Sequence, residues 1–397
     1  MLFPPVAIAA YTLTSALGTG RGPSLAGLKA MRCGLRRCTL ADVDLDTWIG
    51  EVDGLDQAPL TGALAHYDCR NHRLAALAME QDGFRERVAI ACRHYGADRV
   101  AVILGTSTSG LRHTEMCYQR RFAQGSEALD ADLRYPYTHT VFALAAFCRA
   151  LLGLGGPAMV VSTACSSSAK AIAASHRFIR AGLCDAAVTG GVDTLCATTL
   201  YGFKSLELLS PHPSTPWGLG RTGINIGEGA GFLLLERDPA EDGQPWLLGY
   251  GESSDAHHMS APHPEGEGAV QAMQAALTCA GLAPDNIDYI NLHGTGTPAN
   301  DRAEDRAVTR IFGGSVMASS TKGATGHTLG AAGAIEAALC LTCIEGGLLP
   351  GTQGTRVQDP ELSLRVLEFS SPAAPARVLS NSFGFGGSNC SLILGRP

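Results

Sequence analysis

Short runs rich in Val, Ile and Leu alternate with longer alanine-rich runs along the chain. "RVAVILGTSTSG", "DAAVTGGVD", "IDYINLHGTG" and "SVMASSTKG" read as strands running into turns. "PAMVVSTAC" reads as a strand leading directly into the helical run "SSSAKAIAASHRFIRAG", and "HTLGAAGAIEAALCLTCIEGG" reads as a second helix with apolar residues on every side. Strands alternating with helices in this way predict an α/β protein whose sheets are covered on both faces. The pattern also echoes itself. "PAMVVSTACSSSAKAIAAS" and "SVMASSTKGATGHTLGAAGAIEAAL" each run strand, small-residue turn, helix, and "GEGAGFLLLER" and "GFGGSNCSLILGR" each set a glycine-rich turn before a closing strand. A duplicated unit explains the echo, with halves at 1–240 and 241–397 divided near the polar stretch "RDPAEDGQP". Chance pairing within an ordinary α/β chain is the other explanation.

Length and composition narrow the class. The 397 residues are 45% hydrophobic and 17% charged, enough for a large core and too apolar for a disordered chain. A net charge of -7 argues against general nucleic-acid binding. The opening "MLFPPVAIAAYTLTSALG" has no basic segment ahead of its apolar stretch and is broken by Pro4 and Pro5, so a signal peptide is not expected. No uninterrupted apolar run reaches the roughly 18 residues that a membrane span needs. Thirteen dispersed cysteines, an odd number in a long chain, point to reduced thiols and a cytoplasmic setting. Cys340 and Cys343 have CxxC spacing but no second pair, and they fall in a run that reads as a buried helix, so no metal is expected there.

Cys165, in "STACSSSAKAIAASHRF", lies where a strand turns into a helix. The first N–H groups of a helix lack intrahelical partners and favour negative charge, so a thiol there is expected to have a lowered pKa and to serve as a nucleophile. A small residue packed among Ala and Ser fits the same letters. Two histidines give it company. His293, in "NLHGTGTPANDRAE", follows an apolar run and precedes a glycine-rich turn. His327, in "SSTKGATGHTLGAAG", sits just before a helix, where the N-terminal field favours neutral imidazole. Lys322 and Glu336 flank it, as supports of a site or as surface charges.

Taken in order, "TACSSS", "HGTGTPANDRAE", "KGATGHTLGAAG" and "NSFGFGGSN" resemble the β-ketoacyl-acyl-carrier-protein synthases, the elongating condensing enzymes of the thiolase superfamily. "GINIGEGAGFLLLER" and "GESSDAHHMSAP" are similar to that family's intervening segments, so the resemblance covers nearly the whole chain. It implies a thiolase-like fold, two similar halves in a five-layer αβαβα arrangement, as a homodimer or a heterodimer with a related subunit. It implies that Cys165 takes an acyl group from acyl carrier protein. His293 and His327 would then bind the malonyl thioester carbonyl and support decarboxylation, with Lys322 and Glu336 in support. Backbone N–H groups of Cys165 and Phe385 would form the oxyanion hole, and Phe385 would also act as a gate between glycines or simply pack the pocket. Thr295 and Thr297 would meet the pantetheine arm or serve only the turn, and Phe383 and Thr108 would contact substrate. Arg70 and Arg73, at i and i+3 in "CRNHRLAALAM", would dock the acidic carrier or form a solvated face. No cofactor is implied beyond the carrier's own phosphopantetheine.

Some letters depart from the common family pattern. Thr222, Ile224 and Asn225 replace the usual acidic, aromatic and aliphatic residues, and Ser388 replaces a threonine. Thr106, Ser107, Thr108 and Ser109 stand where glycine or aliphatic residues commonly line the acyl tunnel. Buried hydroxyls need partners, so this predicts a chain that is not plainly saturated, although surface or loop hydroxyls in a housekeeping fatty-acid elongase explain the same letters. "GINIGEGA" and "GTSTSG" are also similar to synthases of aryl polyene clusters. Other functions compatible with a cysteine and two histidines are a chain-length-determining partner subunit, a CoA-dependent thiolase and a cysteine hydrolase. The partner subunits usually lack the cysteine. Thiolases carry a further cysteine in the C-terminal glycine-rich motif, whereas Phe385 stands here and Cys390 lies beyond it.

Overall fold

The computed structural model describes residues 4–238 and 243–396. Ten strands form most of one mixed sheet. They are β1 (Val6–Ser15), β2 (Val100–Gly105), β3 (Ala158–Val161), β4 (Ala186–Asp193), β5 (Gly229–Glu236), β6 (Trp246–Ser254), β7 (Tyr289–Asn291), β8 (Ala318–Ser319), β9 (Arg377–Gly384) and β10 (Ser388–Gly395). Their spatial order is β8-β7-β9-β10-β6-β1-β5-β4-β2-β3, and a short strand, Gly18–Thr19, pairs with β1.

Read outward from the middle, the first five strands run β1-β5-β4-β2-β3 and the second five β6-β10-β9-β7-β8. Adding five to each label converts one order into the other. Strand directions repeat too: the two outermost pairs are parallel and the two inner pairs antiparallel in each half. The halves meet at a seam of two residue pairs, Val6 with Leu247 and Ala7 with Trp246. The expected division between residues 240 and 241 lies outside the described residues.

The strands read as continuous apolar runs because both their faces are covered. In β2, Ala101 and Ile103 face one core while Val100, Val102 and Leu104 face another. In β10, Leu392 and Leu394 join the first core and Ile393 joins a third. The outer core of the first half is covered by α1 (Arg70–Met79) and α2 (Phe142–Leu152), through Leu74 and Phe147 among others. Between the half-sheets lie α3 (Ser167–Arg180) and α6 (Ala332–Gly346), and α4 (Glu267–Ala280) and α5 (Pro298–Phe312) cover the second half. The layers are therefore helix, sheet, helix, sheet, helix, the thiolase-like arrangement.

Helix α6 is apolar all round because sheet or helix covers it on every side. With the turn before it, Leu329–Gly346 is long and apolar enough to cross a membrane, yet it lies mostly inside the fold. Small residues let α3 and α6 touch. The Ala334 N–H donates to Ser168 Oγ at 2.9 Å, and a Cβ built on Gly333 would stand 2.7 Å from that of Ala169. Gly105, at the end of β2, meets the first turn of α3, where an added Cβ would stand 2.3 Å from the Ser168 backbone nitrogen.

No side-chain rotation relieves a clash between a Cβ and backbone. Gly105→Ala is therefore expected to lower unfolding free energy by about 2 kcal/mol or more, checked by urea denaturation; an unchanged midpoint would contradict this packing.

Candidate active site

Cys165 follows β3 in a tight turn that opens α3. Ala164 takes φ +52°, a left-handed conformation uncommon for a residue with a side chain, and the Thr163 N–H donates to Ser167 Oγ at 2.8 Å. The turn brings the sulfur into a cleft also lined by His293, His327, Thr295, Thr297, Phe383 and Phe385.

The histidines arrive from the other half. His293 stands just beyond β7, where Glu304 of α5 accepts the His293 N–H at 2.7 Å and the Gly294 N–H at 2.8 Å, and Asn381 of β9 donates to the same carboxylate at 3.1 Å. His327 stands in the turn before α6, its N–H donating to the Asn225 carbonyl at 2.7 Å and its carbonyl accepting from Gly227 at 2.9 Å. Its Nε2 lies 3.0 Å from Cys165 Sγ, and the two imidazoles stand edge to face, centroids 5.4 Å apart. One ligand atom from each of Cys165, His293 and His327 falls within 4.8 Å of the others. Three such atoms could hold a cation, but the Lys322 ammonium, 3.5 Å from His293 Nδ1, opposes one electrostatically. An ammonium has no acceptor, so it makes Nδ1 the accepting nitrogen and leaves the proton on Nε2. Lys322 is held in turn by an ion pair with Glu336 of α6, both buried.

Burial dominates the electrostatics. It pushes the Cys165 thiol up to about 12, against the pull of the Lys322 charge and of a hydrogen bond from the Phe385 N–H. This corrects the expectation of a lowered pKa: loss of water around the sulfur outweighs the field of the helix end. Burial, joined by Lys322, holds both imidazoles well below the ordinary histidine value, so they are neutral near pH 7. Burial also raises Glu336 to about 7, with Lys322 opposing. The resting pair is thus a neutral thiol beside a neutral imidazole.

The remaining candidates divide. The Phe385 ring is half-buried in the turn between β9 and β10, against Phe203 at a centroid distance of 5.6 Å, and Gly386 and Gly387 follow with φ +80° and +72°. The Phe383 ring lies tilted beside that of His293, centroids 5.7 Å apart. Thr295 and Thr297 line the cleft with their hydroxyls 3.0 Å apart, and Thr297 also caps α5.

Thr108 is misplaced by the sequence reading: its hydroxyl donates to Asp193 at 2.8 Å, away from the cleft. Thr106 donates to the same carboxylate at 2.6 Å and Ser109 to the Thr140 carbonyl at 3.0 Å, so these hydroxyls are spent inside the fold and provide no physical basis for an unsaturated chain. Arg70 is not a free surface charge. Its side chain is only 10% exposed, gripping the fully buried Glu228 at 2.6 and 2.9 Å. Arg73 is bound to Asp68 at 2.6 and 2.7 Å. Both guanidiniums neutralise this chain's own acids. Cys390 is wholly buried in β10, its thiol raised by burial, which removes the second cysteine that a thiolase would need.

Motifs alone do not single out Asp193, Glu304 or Phe203. Signals were present for two of them: Glu304 lies within "HGTGTPANDRAE", and Asp193 is an acid ending the apolar run "DAAVTGGVD".

Two thiolase-like halves with a cysteine from one and two histidines from the other define an acyl-transferring condensing enzyme. Residues 72–240 match the family Beta-ketoacyl synthase, N-terminal domain, and residues 246–356 match Beta-ketoacyl synthase, C-terminal domain. The chain is 33% identical over 392 residues to nodulation protein E of Rhizobium meliloti, 95% of this chain and 91% of that one. It is 39% identical over 261 residues to a mitochondrial 3-oxoacyl-[acyl-carrier-protein] synthase of Arabidopsis thaliana, 61% of this chain and 57% of that protein. A solved complex of a ketosynthase with its chain length factor, from Xenorhabdus doucetiae, contains a chain that superposes with TM-score 0.90 at 41% identity, covering 100% of this chain and 98% of that one. The chain belongs to the β-ketoacyl synthase family.

Two measurements check the site. Alkylation of Cys165 by iodoacetamide is expected to accelerate about tenfold per unit from pH 7 to 9, because a thiol raised toward 12 ionises only slightly there; a plateau near neutrality would instead reveal a thiolate-imidazolium pair. Arg70→Ala strands the buried Glu228 carboxylate and should cost about 3–5 kcal/mol in urea unfolding, where a docking arginine would cost almost nothing.

Proposed function

We propose that this protein is a 3-oxoacyl-[acyl-carrier-protein] synthase that lengthens a fatty-acid or polyketide chain by two carbons. The observation that carries this reading is Cys165 Sγ at 3.0 Å from His327 Nε2, with His293 beside them in one cleft.

In the first half-reaction the Cys165 sulfur attacks a carrier-bound acyl thioester and gives up its proton, while the neutral His327 keeps its own proton on Nε2, beside the sulfur. The bond to the pantetheine sulfur breaks, that sulfur takes the proton, and an acyl-enzyme remains. The Phe385 and Cys165 N–H groups hold the transient oxyanion. Malonyl carrier then enters with its thioester carbonyl between the Nε2 atoms of His293 and His327. Loss of carbon dioxide leaves an enolate whose oxygen takes their hydrogen bonds. Neutral N–H donors suit this step because no proton need be removed from carbon. The enolate carbon attacks the acyl carbonyl, the bond to Cys165 breaks, and the thiolate takes up a proton from solvent. Lys322 directs the His293 proton to Nε2, and Glu336 holds Lys322.

The partners we assign are acyl carrier protein and a second chain, either a copy or a related subunit like the chain length factor in the Xenorhabdus complex. In an unlike pair this chain is the acylating member, since it holds Cys165 and both histidines. Thirteen cysteines, none in a disulfide among the described residues, suit the reducing cytoplasm. The likeness of "GINIGEGA" and "GTSTSG" to aryl polyene synthases directs the search for the acyl chain toward conjugated carriers.

The test is purified protein with acyl and malonyl carriers: a 3-oxo product two carbons longer, with release of carbon dioxide, is expected, and hydrolysis alone defeats the reading. Cys165→Ala should abolish the acyl-enzyme seen by intact mass while leaving some malonyl decarboxylation. His293→Ala or His327→Ala should reduce decarboxylation on the order of 10²-fold, more than self-acylation.

A further inference from the structure

Asp193 ends β4 inside the half that carries Cys165. Its carboxylate is fully buried and, among the described residues, has no lysine or arginine partner. Six contacts satisfy it instead. Oδ1 accepts from Thr106 Oγ1 at 2.6 Å, the Ser107 N–H at 2.8 Å, the Thr108 N–H at 2.8 Å and Thr108 Oγ1 at 2.8 Å. Oδ2 accepts from the Gly330 N–H at 2.6 Å and again from Ser107 at 3.1 Å.

The two oxygens serve different halves of the site. Gly330 lies three residues beyond His327, in a turn where Leu329 takes φ +52°. Ser107 also donates through Oγ to the Ala164 carbonyl at 3.4 Å, the residue before Cys165, itself at φ +52°. One buried carboxylate thus joins the turn before the nucleophile to the turn after its imidazole partner, and both turns have a conformation that an unsupported chain leaves readily.

We propose that Asp193 is a positioning residue for the condensation, setting the Cys165–His327 contact by tying the Ser107 and Gly330 backbone N–H groups to one carboxylate. The inference deepens the reading under Proposed function and rests on it. The charges facing Cys165 are Lys322, Asp193 and Glu336, with the two neutral imidazoles beside them; Asp193 and Glu336 work against ionisation of the thiol and Lys322 works for it.

Asp193→Asn tests the assignment at the level of single atoms. A carboxamide keeps one accepting oxygen, which the four donors at Oδ1 claim. Its NH2 then faces the Gly330 N–H and breaks that tie. The expected result is a kcat for condensation lower by about 10- to 100-fold, because small displacements of reacting groups are costly, with KM for both carriers within about twofold since the cleft mouth is untouched. The midpoint of Cys165 alkylation should move to lower pH, as a negative charge near the sulfur is lost. Asp193→Glu, which keeps the charge and both oxygens, should recover part of kcat. A folded Asp193→Asn variant with wild-type kcat, or one whose alkylation midpoint does not move, overturns the proposal. If that variant does not fold, Thr108→Val removes one donor and leaves the charge; a few-fold fall in kcat at constant KM supports the role, and an unchanged kcat overturns it. Wild-type protein run alongside separates the two questions. Its failure to condense defeats the condensing reading, while alkylation still reads the effect of Asp193 on Cys165.

Discussion

Helices α3 and α6 can lie against each other only because the side chains between them are Ala, Gly and Ser. A larger residue at Gly333 would meet Ala169, and the Ala334 N–H would lose Ser168 as its acceptor. This contact places the N-terminal ends of two helices from different halves side by side in the middle layer. Cys165 precedes one and His327 precedes the other, so the helix contact fixes how near sulfur and imidazole can come. Gly105 against Ser168 and Gly231 against Ala334 extend the same condition to the sheet. Small residues here are a requirement of chemistry as much as of packing.

A middle layer is also a dry one, and dryness decides the protonation states. Burial keeps the thiol protonated and both imidazoles neutral, and it raises Glu336 and Glu304 to about 7. A neutral imidazole with its proton on Nε2 can still donate an N–H bond from that atom. Carboxylates in this interior survive because backbone N–H groups or a guanidinium surround them: Glu304 holds the His293 turn, Glu228 is held by Arg70, and Asp193 gathers six contacts. Such groups are the frame on which the reacting side chains are hung.

The sequence was most legible where local pattern and chemistry coincide. Strand, tight turn and alanine-rich helix mark Cys165 and His327 because that succession is itself what delivers a side chain to a helix end. The glycines after His293 mark a turn for a similar reason, and Gly294 does take φ +41°. The reading failed where a side chain's role depends on distant partners. Arg70 and Arg73 share a helix face as expected, but Glu228 is 158 residues away in sequence from Arg70 and Asp68 closes on Arg73 from the preceding loop. Thr106 and Thr108 are hydroxyls at the end of a strand in either account, and only the approach of Asp193 turns them from a tunnel lining into carboxylate ligands.

Alone, the order of residues determined the elements and their repetition in two halves, because periodicity and turn residues are local properties, and its ordered motifs pointed to Cys165, His293 and His327 through their resemblance to a known family. Tertiary structure decided which charges are free, which hydroxyls face substrate and whether the thiol is ionised. Those depend on desolvation and on hydrogen bonds between residues brought together from far apart, and neither can be summed along a chain before it is folded.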